Sequence, residues 1–516
     1  MMPLAQRVET LARTRPTEIA FHGDGEALCW RDYAQRADYL AARLLSAGLK
    51  RGERVAVLLP DGPGVHIAYL ACEKAGLIVM GIGPRAGPDE VRHLIRRSGA
   101  RALLSGRMHR GLDLSALCAE LRREGHPLAF EFRAEAGLGA EDGLVQADQT
   151  MPLPEPARAL ASDEIFLLNS TSGTTGLPKC VAHDQDRWFA FHEPATRNAE
   201  LGPEDIFLSA LPAPFGFGLW TAHFTPTLLG IPCVVPAAFS PEAVLRAIAH
   251  HRVTVLAAVS TQFILMLESP AFATADLSSL RILFTGGEAV PFERAAAFEE
   301  RSGAAVLQFY GSNEAGALSG TTTRDTREKR LRPAGRPIAN MNVRLFDDSG
   351  ADVTASGRGQ PGCRGPQISR GYWDDDAANT ELFRKDGWML TGDIAEIDAD
   401  GYLSIVGRTA DIIIRGGKNL SGPAIEAEAQ THPSIRLAAA VAMPDPIFGE
   451  RVCLFVETND GSSLALADLK AHLAARGVSK EWWPERLVIK ELLPLSSGGK
   501  VAKGVLRAEA RELPAL

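Results

Sequence analysis

Residues 170–180 read Ser-Thr-Ser-Gly-Thr-Thr-Gly-Leu-Pro-Lys-Cys, and the rest of the chain is best read outward from them. Five hydroxyl side chains, two glycines and a lysine fall within ten positions, directly after the apolar run Ile165–Leu168. Glycine lets main-chain N–H groups approach a phosphate closely, here at Gly173 and Gly176. The hydroxyls of Thr171, Ser172, Thr174 and Thr175 add donors, and Lys179 adds a point charge. The spacing is not that of a Walker A loop, which needs GxxxxGK[ST]. A flexible Ser/Gly linker is the bland alternative, but a linker seldom follows a buried strand directly or ends in Pro-Lys. The stretch predicts a phosphate-binding loop.

Short apolar runs recur on both sides of it. Arg54–Leu59, Leu77–Pro84, Ala102–Leu104, Ile231–Val235, Val253–Val259, Ile282–Phe284 and Ala305–Phe309 all read as buried strands between turns. Helical segments such as Leu70–Ala75 alternate with them, which predicts an α/β fold of mostly parallel sheets layered with helices. After about residue 330, Asn342–Phe346 and Gly401–Val406 read as antiparallel strands joined by Asp/Gly turns, a β-barrel-like subdomain. A smaller α+β unit follows, with strands Ile412–Ile414, Leu437–Ala442 and Val452–Glu457 and a helix Leu466–Ala475. The expected division is 1–408 and 409–516, the second unit being mobile. A chain of 516 residues is too long for one core in any case.

Composition bounds the partners. The chain is 46% apolar and 23% charged, with a net charge of −8, which argues against a nucleic-acid-binding surface. Its seven cysteines form no CxxC pair, so structural zinc or a disulfide framework is not expected. The N-terminus reads as an amphipathic helix, and no apolar run approaches the ~20 residues of a membrane span. A cytoplasmic protein is expected, its oligomeric state unreadable.

Eight further segments extend the reading: TGGEAVP (285–291), FYGSNEAG (309–316), GRPIANMNVRLFD (335–347), SRGYW (369–373), GWMLTGD (387–393), GYLSIVGRTAD (401–411), IIRGGKNLSGPAIE (413–426) and LPLSSGGK (493–500). With the 170–180 loop, and in this order, they resemble the adenylate-forming superfamily, in its acyl-CoA synthetase branch. The resemblance implies that a carboxylic acid attacks the α-phosphate of ATP and that the thiol of coenzyme A then takes the acyl group. It implies that the 171–179 loop holds phosphates and that Glu314 helps to hold Mg²⁺. Gly286, Gly287 and Glu288 would border the adenine, Tyr310 would pack against it, and Gly311 and Asn313 would lie beside the α-phosphate. Asp393 and Arg408 would meet the ribose. Lys500 would stabilise the first transition state. A swivel of the small unit would then bring Gly416 and Gly417 to the pantetheine arm. Phe215, Gly216, Phe217 and Gly218 would line the acid pocket, which implies a bulky, uncharged acid.

Four positions depart from the family pattern. Asn313 stands where a threonine is common, and Phe215, which cannot hydrogen-bond a carboxylate, where a histidine or other aromatic gate is common. Ala410 replaces a charged hinge residue, and Ala424 removes a carboxylate from a helix start. These changes lead us to expect adenylation to be the weaker half-reaction. Two other assignments stay open at this level: a protein performing mainly thioesterification, and a free-standing adenylation enzyme that loads a carrier protein.

Overall fold

The computed structural model describes residues 2–139, 141–146, 151, 152, 155, 158–171, 178–288, 290–347, 349–408, 411–415, 418–459, 463–496 and 500–514. The alternation of apolar runs and helices folds into two large sheets. The first has nine strands, in the order Arg336–Pro337, Gly316–Gly320, Ala305–Ser312, Ile282–Gly286, Val255–Ala257, Phe207–Ser209, Cys233–Val234, Ile19–Gly23 and Glu26–Cys29. Its central strands are parallel and its outer ones antiparallel. The second has six strands, in the order Cys180–His183, Leu167–Ser170, Ile78–Gly81, Arg54–Leu58, Ala102–Ser105 and Phe130–Arg133. It is parallel except for one edge pair, Leu167–Ser170 with Cys180–His183.

That edge pair brackets the 170–180 stretch, whose two ends meet as a β-hairpin, with Ser170 opposite Cys180 and the Thr171 N–H donating to the Lys179 carbonyl at 3.0 Å. The FYGSNEAG segment is also a hairpin: Ala305–Ser312 runs through Asn313–Ala315 into antiparallel Gly316–Gly320.

Helices cover the sheets in the manner their sequences require. In Trp30–Ser46 the buried residues Trp30, Tyr33, Ala34, Ala37, Leu40, Ala41 and Leu44 recur at three- and four-residue steps, one stripe of the helix. Helix Pro63–Ala75 is buried on every side. Its last turn carries Lys74, which pairs with Asp38 at 2.6 Å and with Glu9, so this buried ammonium is compensated.

Beyond residue 340 a five-stranded antiparallel sheet is built from Asn342–Phe346, Arg358–Arg364, Met389–Leu390, Asp393–Ile397 and Leu403–Arg408. The last sheet combines Ile412–Arg415, Lys418–Ser421, Ile435–Asp445, Gly449–Thr458 and Arg486–Lys490, with helices Gly422–Ala429, Leu466–Ala475 and Lys503–Glu512. No described helix is long and apolar enough to cross a membrane. All seven cysteines are buried and unpaired; burial pushes the thiols of Cys72, Cys180, Cys363 and Cys453 up to about 12.

The first helix, Leu4–Thr14, is held by side chains from elsewhere in the fold. Gln185 Oε1 accepts from the Leu4 N–H and Glu73 Oε1 from the Ala5 N–H, both at 2.8 Å. They satisfy two of the donors that a helix start leaves open. Burial raises the Glu73 carboxyl to about 7 against an ordinary 4.5. Between those values the folded chain binds more protons than the unfolded one, so the contribution of Glu73 is complete below about pH 4.5 and is lost as pH rises through 7. Glu73→Gln keeps the acceptor and removes the charge. Its melting temperature, measured against wild type by calorimetry, should therefore gain more at pH 8 than at pH 5.

Candidate active site

Four neighbouring parallel strands, Phe207–Ser209, Val255–Ala257, Ile282–Gly286 and Ala305–Ser312, deliver residues from their carboxyl ends into one cavity. This is where open α/β sheets bind ligands. The cavity measures about 140 Å³, close to the ~150 Å³ apolar space that accepts one benzene ring. All four residues predicted for the acid pocket, Phe215, Gly216, Phe217 and Gly218, line it. So do Trp220 and Val259, from the segments Phe215–Trp220 and Val259–Leu265 expected to line it, and Trp188, Phe191 and Phe309, which were not expected there. Phe217 stacks on Trp220, with centroids 5.8 Å apart, and meets Phe309 edge-on at 4.6 Å. Trp220 projects from a π-helical stretch, Leu219–Phe224, the kind of irregular turn that recurs at functional sites. A side chain at Gly218 would collide with the Pro212 carbonyl, so the loop can pass there only as glycine.

Of the residues predicted for the nucleotide side, Gly286, Gly287, Gly311, Asn313 and Lys500 line the cavity. Gly287 holds φ +80°, and a side chain there would meet the Lys500 ammonium. Lys500 Nζ instead donates to the Gly287 carbonyl at 2.6 Å. The lysine of the last sheet's loop thus lies at the same cavity as the Phe215–Gly218 loop. Three residues on, Lys503 anchors that loop. Desolvation alone would lower its ammonium, but Glu426 at 2.7 Å and Asp411 at 3.6 Å more than offset this and raise it. Glu288 accepts from the Thr261 N–H at 2.8 Å and hydroxyl at 3.1 Å; burial raises its carboxyl, and Lys500 and Lys503 partly restrain the rise. Tyr310 donates to the buried Asp393, and Asp393 is paired along the main chain with Arg408. A side chain at Gly311 would strike the Gly316 carbonyl and one at Gly286 the Phe309 carbonyl, so both hairpin and strand end stay close-packed. Ser172, Gly173, Thr174, Thr175, Gly176, Ala410, Gly416 and Gly417 lie outside the described residues.

Glu314 and Lys179 meet at a residue singled out in neither role, Tyr372 of the SRGYW segment. Its hydroxyl donates to Glu314 Oε1 at 2.9 Å, and the Lys179 ammonium sits 4.8 Å from its ring centroid. Burial and the adjoining carboxylate hold the Tyr372 phenol well above its usual range, so it stays a donor.

The geometry adds to the expectation at two residues. Arg187, singled out in no role, lines the cavity, buried to 2% exposure. And Asn313 is not simply an amide in place of a hydroxyl beside the phosphate. Its Oδ1 accepts from the Gly216 N–H at 3.0 Å and Asn169 Nδ2 at 3.2 Å, while its Nδ2 donates to the Ser170 carbonyl at 3.2 Å.

Comparison with known proteins decides what the assembly belongs to. The AMP-binding enzyme family matches residues 8–373, and the AMP-binding enzyme C-terminal domain matches residues 424–500. The chain belongs to the AMP-binding enzyme family. Within it the chain is an acyl-CoA ligase of the adenylate-forming superfamily. It is 32% identical over 499 residues to a feruloyl-CoA synthase of Amycolatopsis sp, covering 96% of each chain. It is 29% identical over 516 residues to the medium-chain fatty-acid–CoA ligase of Escherichia coli K12, covering 98% of this chain and 90% of the other. The crystal structure of the anthranilate CoA ligase AuaEII in complex with anthranoyl-AMP, 22% identical, shares the fold with a TM-score of 0.89 over 99% and 97% of the two chains. The ligase therefore uses ATP to activate a carboxylic acid as its adenylate and transfers the acyl group to coenzyme A.

The position of Tyr372 yields a test. Tyr372→Phe keeps the ring beneath Lys179 and releases Glu314. Losing a hydrogen bond to a charged group is worth about 1.5 kcal/mol, a little over tenfold in rate. Pyrophosphate release should fall by that factor, and Tyr372→Leu, which also removes the ring, should fall further.

Proposed function

We propose that the ligase activates a monocyclic aromatic or similarly compact cyclic carboxylic acid whose body carries no charge. The cavity itself carries this reading: one ring's volume walled by Trp188, Phe191, Phe215, Phe217, Trp220 and Phe309. Apolar walls favour an uncharged body. Among the polar wall side chains, Arg187, Asn313 and Gln367 are each already bonded within the protein. No Asp or Glu among the described residues lines the cavity, so an amine-bearing body would find no counter-charge there. The aromatic acid in the name of the Amycolatopsis relative points the same way.

In this reading the acid's ring fills the aromatic slot and its carboxylate faces the mouth. The Thr171–Lys179 hairpin holds the ATP phosphates, Asp393 and Arg408 the ribose, and Gly286–Glu288 with Tyr310 the adenine. Lys500, already within 2.6 Å of the Gly287 carbonyl, sits where it can neutralise charge developing between carboxylate and α-phosphate. Glu314 suits Mg²⁺ in donor chemistry. One carboxylate oxygen is occupied by Tyr372, and the other has no partner among the described residues. Such an ion is commonly held by one or two carboxylates together with substrate phosphates, and it would supply charge neutralisation at the phosphoryl oxygens. The small unit from residue 409 onward would withdraw Lys500 after adenylation and bring the 413–420 segment, with Gly416 and Gly417, to coenzyme A. A reducing cytosol, where both cosubstrates are supplied, is the proposed setting.

A panel of acids with ATP and coenzyme A tests the substrate class. Benzoate-sized acids should exceed acetate and malonate in kcat/KM by at least tenfold, followed as AMP and acyl-CoA. A preference for acetate or for a second carboxylate would refute the assignment. Lys500→Ala tests the role of the lysine. It should lower pyrophosphate release by roughly 10²–10³ yet leave thioester formation from a synthetic aryl-adenylate within severalfold of wild type.

A further inference from the structure

A line of buried hydrogen bonds runs from the floor of the acid cavity to the root of the phosphate loop, and every donor in it points the same way. Arg187 Nη1 donates to His183 Nδ1 at 2.6 Å. His183 Nε2 therefore carries the ring proton and donates to Asn169 Oδ1 at 2.8 Å. Asn169 Nδ2 donates to the Pro214 carbonyl at 2.8 Å and to Asn313 Oδ1 at 3.2 Å. Asn313 Nδ2 donates to the Ser170 carbonyl at 3.2 Å. The amide orientations are fixed, because Pro214 and Ser170 offer carbonyls and Gly216 offers an N–H. His183 and Asn169 have no exposed surface. The guanidinium is held by the main-chain carbonyls of Gln367 and Asn313 at 2.8 Å each, with no carboxylate in contact among the described residues. Hydrogen bonds aligned head to tail polarise one another.

We propose that Asn169, His183 and Arg187 are positioning residues for adenylation, acting through Asn313 to fix the acid loop Pro214–Gly216 at a set distance from the phosphate loop. The relay joins the two segments that must bring separate molecules, acid and ATP, into line for attack. Once the acyl-adenylate exists, its own covalent bond sets that distance, and the relay has nothing left to align. Loss of alignment should therefore fall on the first half-reaction alone. The relay also explains why asparagine stands at 313. Threonine has one branch with an oxygen and cannot both accept from Gly216 and donate to Ser170 across the span that the amide covers.

The experiment compares both half-reactions in N169D, H183L, H183Q and N313T, with benzoate as the acid and synthetic benzoyl-adenylate for the second step. N169D keeps the shape but cannot donate to Pro214 or Asn313. It should lower kcat for pyrophosphate release tenfold to a hundredfold and raise the KM for benzoate, with CoA consumption from the adenylate within twofold of wild type. H183L should match it. H183Q, whose amide can accept from Arg187 and donate to Asn169, should recover most of the loss. N313T, although it restores the commoner family residue, should impair adenylation rather than improve it. Equal losses in both half-reactions, identical H183L and H183Q, or an N313T faster than wild type would each overturn the proposal. The benzoate assay rests on the acid class proposed above: if the wild-type enzyme activates no aromatic acid, that class is wrong, and the same four variants are then read with the acid it does activate.

Discussion

A guanidinium removed from water must have its hydrogens taken up by the protein, and at Arg187 this requirement organises the site. The carboxylates of Asp184 and Glu314 raise its basicity without offsetting the depression that burial causes. The contacts are carbonyl oxygens and one imidazole nitrogen. That imidazole can accept only if it is neutral with its proton on Nε2, and burial beside a cation holds it so. Everything downstream inherits the direction: Asn169 must accept on one side and donate on the other, and so must Asn313. A single desolvated charge thus dictates the polarity of three side chains and the position of two loops, because each unmet buried donor would be costly.

The other strong constraint is steric. Gly218, Gly286 and Gly311 sit where an added carbon would meet a main-chain carbonyl, and each marks a point where two segments must touch for the cavity to close. The aromatic walls fill what these contacts leave. Trp220 alone packs against Phe191, Phe217, Phe284 and Phe309, so the slot's shape is set by rigid rings in mutual contact rather than by flexible chains.

Much of this was legible in the sequence, and for local reasons. Strands flanked by Gly and Pro, the phosphate-type loop, and the Phe215–Gly218 stretch announce themselves through composition and spacing. What was not legible depends on partners far apart in the chain. Arg187 reads as one more charged residue on a helix, and only the fold shows that the main-chain carbonyl of Asn313, 126 positions away, accepts its hydrogen bond. The hairpin form of 170–180 was missed because the strand after the loop, Cys180–His183, is a four-residue edge strand with no alternation to mark it. Tyr372 went unassigned because its motif identified a family without indicating which side chains its hydroxyl and ring would serve. Asn313 looked like a weakened catalytic position for the same reason, since its four partners come from 169, 170, 187 and 216.

The burial of all seven thiols acquires a meaning in this setting. An acyl-adenylate is an electrophile, and any thiolate of the protein within reach would capture the acyl group before coenzyme A could. None of the cysteines lines the cavity, and those at 72, 180, 363 and 453 are held far from ionisation at neutral pH. An enzyme that makes a thioester for a living has thereby kept its own sulfur out of the reaction, and self-acylation is avoided by placement rather than by speed.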